Sequence, residues 1–161
     1  LTIVPCVNPD GTEIALHGSD AAFKYKPLVE KVCTDTYKWQ ANARGVDINH
    51  NFNAGWCRLK QLELKNNIKC PAPTRFGGNH PESEPETKAL TTLCRNIDFE
   101  RAIALHSQGR EIYCSFGRHT PVLSFRLASM FSQASGYNIA LSDFEEEYKI
   151  LQNILCLGAV V

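Results

Sequence analysis

The sequence predicts an α/β protein built on a mixed, largely parallel sheet. Three observations lead there. Strand-type segments, TIVPCVN, GVDINHNF, RAIAL and EIYCSF, alternate with stretches of helical spacing. The runs in TIVPCV and AIAL are continuous rather than alternating, as in strands covered on both faces. The 161 residues are 43% hydrophobic and 21% charged, a composition that supports one packed core.

Taken in order, TIVPCVN reads as a buried strand stopped by the turn Asn8-Pro9-Asp10-Gly11. Residues 12–42 look mostly irregular, with a short helix around 27–33. GVDINHNF reads as a short strand and loop, residues 57–69 as a helix or an extended insertion, and 71–81 as a Pro/Gly-rich loop. Ser83-Glu84-Pro85-Glu86 has the form of a capping box, with Ser83 as N-cap and Glu86 at N3. It opens a helix to about Arg95 whose apolar stripe is Ala89, Leu90 and Leu93. Arg101 to Leu105 is a central strand and EIYCSF a second one. Thr120 and Pro121 open a helix that Gly136 closes after Ser135. Ser142 to Glu145 forms a second capping box, and EEEYKILQNILCL follows with helical spacing up to Gly158.

Charge excludes some partners. Seventeen Lys and Arg balance seventeen Asp and Glu, so no field favours nucleic acid or an anionic membrane. No apolar run approaches the roughly 18 residues of a spanning helix. Seven cysteines, odd in number and without C-x-x-C, argue against a zinc knuckle or a thioredoxin-like site. They are expected to be mostly reduced core residues, which favours a cytoplasmic setting. LTIVPCVNPDG has neither the basic start nor the cleavage site of a signal peptide. A secreted or wall-associated protein would need a leader upstream of it. Both ends are apolar, which suits a partial domain.

Chemistry in open α/β sheets gathers at the carboxyl ends of strands. AIAL delivers His106 and Ser107 there, and Val46-Asp47-Ile48 delivers Asn49 and His50. G-x-S-x-G, a glycine-rich phosphate loop and H-E-x-x-H are all absent from the sequence.

Four segments, VPCVNPDGTE, WQANARGVDINHNFNAGW, GGNHPESEPETKAL and IALHSQGREIY, occur in the order and spacing of one family. The chain resembles zinc carboxypeptidases of the carboxypeptidase A-like superfamily. It is most similar to bacterial γ-D-glutamyl-L-diamino acid peptidases, which act on peptidoglycan peptides. The likeness is strongest over residues 1–137, whereas 138–161 diverge, so residues 1–161 read as a partial catalytic domain. The resemblance implies a three-layer α/β sandwich, a zinc cofactor and a peptide substrate. It implies that Asn49 binds the substrate carboxylate, with His50 at the position where the family often has an arginine. A single imidazole cannot reproduce a bidentate guanidinium, which suits a branch with altered substrate anchoring. Arg44, close to that segment, is the candidate to polarise the scissile carbonyl. His106 matches a zinc ligand, and Ser107 would line the substrate pocket.

The family's other two ligands come as H-x-x-E. The five histidines here begin HGSD, HNFN, HPES, HSQG and HTPV, and the family's late glutamate base has no counterpart after Tyr137. The expectation is therefore a metallopeptidase segment that is inactive on its own. The alternatives are a peptide-binding pseudo-enzyme and an inactive truncated product.

Overall fold

A computed structural model describes residues 1–106, 109–114 and 121–140. The chain divides into two compact units, Leu1–Leu93 and Cys94–Val161. It combines helices with a small parallel sheet.

In the first unit, Asn8 to Gly11 start a helix rather than a turn. The Asn8 carboxamide accepts a hydrogen bond from the Gly11 amide at 3.0 Å, and Pro9 occupies the first turn beside Asp10. This is N-cap chemistry with proline where no amide is needed. The resulting helix α1, Pro9–His17, buries Ile14. A 3-10 stretch, Ser19–Tyr25, leads into α2, Lys26–Val32, the short helix the sequence suggests. Ile14, Ala22 and Val29 pack with Trp39, Ala41 and Ala43. Alternation then has a clear meaning in the QANAR stretch: the two alanines enter the apolar cluster, and Asn42 between them enters a polar one.

Two expected strands are absent from this unit. Leu1, Ile3 and Val4 are exposed, and no described strand lies beside them to complete a ladder. GVDINHNF is diverted by its own side chain. Asp47 accepts from the Asn49 amide at 3.2 Å and turns the chain into a 3-10 helix, Ile48–His50. Such local side-chain bonds compete with ladder bonds.

Residues 57–69 resolve in favour of a helix: α3 spans Trp56–Lys65, and α4 spans Pro85–Asn96. The expected capping box is not formed. The Ser83 hydroxyl donates to Glu84 and accepts from Asn51, and α4 begins two residues later. Its buried face is Thr87 and Thr91, with Leu90 and Leu93 half-buried and Ala89 exposed.

In the second unit, Arg101 to Leu105 is not a strand; Ala102 makes an isolated bridge, and Ile103 and Leu105 are exposed. EIYCSF does supply a strand. β1, Glu111–Tyr113, pairs in parallel with β2, Asn138–Ala140, in the register Ile112 to Ile139. The helix between them, α5, Val122–Ser135, lays Ser124 and Ala128 inward, and Ala128 packs with Cys114, Ile112 and Ile139. Gly136 closes it in the left-handed conformation (φ 74°), its amide bonded to the Ser132 carbonyl. The second capping box and the segment after it lie outside the described residues.

Six cysteines within the described residues are free thiols. Of these only Cys114 is buried, while Cys6, Cys57 and Cys70 are exposed, so most are not core residues. Burial pushes the thiols of Cys94 and Cys114 upward, which keeps them protonated near neutrality. Among the described residues no helix is long and apolar enough to cross a membrane.

Candidate substrate-holding site

Two of the sequence segments singled out above interlock through buried polar side chains in the first unit. Asn51, fully buried, is the hub. Its amide nitrogen reaches the carbonyls of Gly77 (2.9 Å) and His80 (3.2 Å) and the Ser83 hydroxyl (2.8 Å). Its oxygen accepts from the Glu84 amide at 3.1 Å. Asn42 works in the same way, accepting from the amides of Arg44 and Val46 and donating to Glu84 at 2.7 Å. Gly45, between them, turns at φ 70°, where an added Cβ would lie 2.7 Å from Pro71. Close packing and a left-handed backbone both demand glycine there.

Glu84 collects these bonds. Besides Asn42, its Oε2 accepts from Arg44 Nε at 2.8 Å, and Arg44 Nη2 lies 2.7 Å away. Only Nε meets hydrogen-bond geometry; Nη2 is held as an ion pair. The Glu84 side chain is 5% exposed and the Arg44 side chain 40%, so a buried carboxylate holds a partly exposed arginine.

A third support comes from α3. The buried Glu63 accepts from the Gly77 amide at 2.7 Å and from Lys60, whose ammonium also reaches the Gly78 carbonyl and sits over the Phe76 ring. Buried charges are tolerated because each is paired and hydrogen-bonded.

The predicted residues stand on this frame as follows. Asp47 splits its carboxylate between the Asn49 amide and the amide of Arg75, the latter at 2.7 Å. Asn49 is half-buried, and its Oδ1 is buried without a hydrogen-bond partner. His50 is buried, with Nδ1 2.9 Å from the Arg75 carbonyl. A carbonyl only accepts, so Nδ1 carries the proton. Arg44, Asn49 and His50 thus share one segment of the first unit. His106 belongs to the second unit and is exposed. Ser107 lies outside the described residues. Asn42, Asp47, Asn51, Glu63 and Glu84 were not singled out by sequence; Asn42 and Asp47 stand between apolar neighbours, and nothing local marks the others.

Glu86 shows how tightly acids gather here. Burial, the largest cause, pushes its carboxyl above the ordinary value of 4.5, and Asp10 and Glu84 act in the same direction. Hydrogen bonds from its own amide and from Asn42 oppose this only in part. The folded chain therefore holds this proton more tightly than the unfolded chain. The stability it contributes is present below 4.5 and is lost as pH rises through the raised folded value. Glu86→Gln should remove that loss, so denaturant melts at stepped pH should show the variant gaining on the parent chain across this window. Parallel pH profiles would contradict it.

Zinc requires a fuller donor set than this. The described residues contain no group of three His, Cys, Asp or Glu able to hold a metal. They offer His106 alone at the position the resemblance marks, so they do not by themselves fit the ion.

Comparison with known proteins fits these segments. The zinc carboxypeptidase family profile matches residues 1–154, and the chain belongs to that family of peptidases. It is 37% identical over 140 residues to γ-D-glutamyl-L-diamino acid endopeptidase 1 of Lysinibacillus sphaericus, covering 85% of this chain and 34% of that protein. Murein peptide amidase A of Escherichia coli is 32% identical over 108 residues, 65% of this chain and 34% of its own length. Carboxypeptidase B of Rattus norvegicus is 44% identical over 96 residues, 58% of this chain and 19% of its own. The chain thus spans about a third of the length of the bacterial relatives. No solved structure matches it.

Proposed function

We infer that the chain is the substrate-holding part of a zinc-dependent peptidase of carboxypeptidase type, cleaving a peptidoglycan-derived or other small peptide. The observation that carries this reading is the contrast around Asn49. Its neighbours Asn42, Asp47 and Asn51 spend their side chains on the fold, whereas Asn49 keeps a buried amide oxygen without a partner. An amide oxygen left open beside a rigid frame marks a side chain held for a ligand, since buried polar groups are otherwise satisfied, and it calls for a donor on that ligand. In this reading the Asn49 amide nitrogen donates to the substrate carboxylate, its Oδ1 accepts from a substrate N–H, and His50 supports the segment. Arg44, fixed by Glu84, offers its guanidinium to the scissile carbonyl, and Ser107 lines the pocket. A donor aimed in advance at developing charge needs no reorganisation during reaction.

The same reading gives His106 to zinc and gives the whole domain a three-layer sandwich. The remaining ligands and the general base belong to the longer protein, consistent with the third of its relatives' length that the chain spans. When bound, zinc would activate water for attack on the carbonyl. By similarity to the endopeptidase, the proposed substrate carries a γ-D-glutamyl-L-diamino acid linkage.

Equilibrium dialysis tests the ligand assignment. With one assigned ligand of the three such sites generally use, the 161-residue chain should bind zinc weakly and hydrolyse nothing. Stoichiometric, submicromolar zinc binding that His106→Ala abolishes would show a complete ligand set within this sequence.

A further inference from the structure

We propose that Arg75 is a specificity-determining residue that binds the free α-carboxylate of a γ-linked glutamyl unit. This deepens the reading above and rests on Asn49 as the substrate anchor. A γ-linkage uses the side-chain carboxyl of glutamate, so its α-carboxylate remains as an anion beside the bond.

Arg75 is built into its place. Its φ of 68° is left-handed, a conformation that side-chain-bearing residues adopt at a cost and keep only when their surroundings impose it. Here the surroundings are the anchor segment itself. The Asp47 carboxylate takes the Arg75 amide at 2.7 Å, and His50 Nδ1 donates to the Arg75 carbonyl at 2.9 Å. Thr74, next to it, also donates to Asp47, at 3.1 Å. Both main-chain groups of Arg75 are therefore held by side chains flanking Asn49. Asp47 joins the two directly, since its other oxygen accepts from the Asn49 amide.

The side chain is left out of this arrangement. Arg75 is exposed, and its guanidinium has no hydrogen-bond or ion-pair partner among the described residues. The Asp47 and His50 side chains are occupied in fixing the backbone, so the segment carries an arginine whose root is rigid and whose charge is uncommitted. A planar guanidinium on a fixed base suits a carboxylate. The arrangement also gives His50 a purpose: a buried imidazole beside Asn49 sets the backbone of the cation instead of supplying one.

The test is a pair of peptides titrated into the 161-residue chain and followed by side-chain NMR signals of Asn49 and Arg75. One is N-acetyl-γ-D-glutamyl-L-lysine; the other is its glutamyl α-amide. The acid should bind about tenfold more tightly, the scale of one partly exposed charge-assisted contact. Arg75→Gly keeps the left-handed backbone without strain, so the loop stays formed. It should erase the preference for the acid while leaving affinity for the amide unchanged, and Arg75→Lys should restore part of the preference. A preference that survives in Arg75→Gly overturns the proposal and leaves the anchor reading in place. If neither peptide moves the Asn49 signal, the anchor reading fails and the proposal falls with it.

Discussion

Asn51→Ala should destabilise the first unit by roughly 3 kcal/mol or more, the range expected when a buried hydrogen-bond hub is deleted. The side chain is 0% exposed and serves four groups at once. Alanine would strand the Glu84 amide, which is buried, together with carbonyls of the 77–80 loop. Water cannot easily replace the lost bonds, because Gly77 and Gly78 bring the loop backbone too close. A Cβ at Gly78 would lie 2.8 Å from the Asn51 amide nitrogen, and one at Gly77 2.6 Å from the His50 carbonyl oxygen. Urea melts of parent and variant give the difference directly. A loss below about 1 kcal/mol, the net worth of one ordinary hydrogen bond, would show that Asn51 is not the hub.

The second large effect is coupling between Arg44 and Glu84. Each singly changed to glutamine should cost stability, and the double variant should cost less than the sum by about 1–2 kcal/mol. Two features set that magnitude. Glu84 is almost wholly buried and receives Arg44, Asn42 and Ser83 together, which strengthens the pair. Arg44 is 40% exposed, so solvent screens part of the attraction. Additivity within a few tenths of a kcal/mol would mean that Glu84 does not fix Arg44.

What the sequence discloses follows from how local each feature is. α5 was legible because Pro121 and Gly136 act within a turn of themselves, and EIY because one short apolar run sufficed. α1 was missed since Asn8-Pro9-Asp10-Gly11 satisfies turn chemistry and N-cap chemistry equally. The burial of Ile14 against Ala41 and Ala43, far along the chain, accompanies the helical choice. The runs in LTIVPCV and RAIAL have strand composition, but a strand is defined by its neighbour, and none described stands beside either. Asn49, Arg44 and His50 could be singled out because the segment around them carries a family pattern. The frame beneath them could not: Glu84 meets Arg44 across 40 residues, and Asn51 meets Glu84 across 33. Nothing local distinguishes a buried, paired glutamate from a solvated one. The same holds for Glu63, which in WCRLKQLELK looks like a surface residue of an amphipathic helix.

We propose that this chain builds the candidate substrate-holding segment by itself, before any metal binds. Native-state hydrogen exchange on the metal-free chain tests it most directly. The amides of Asp47, Arg75, Gly77 and Glu84, each bonded to a residue far away in the chain, should exchange slowly and together. Those of Ile3 and Val4 should exchange at once, and added zinc should leave the slow set unchanged. Fast exchange at all four positions, slowing only when zinc is supplied, would contradict the account.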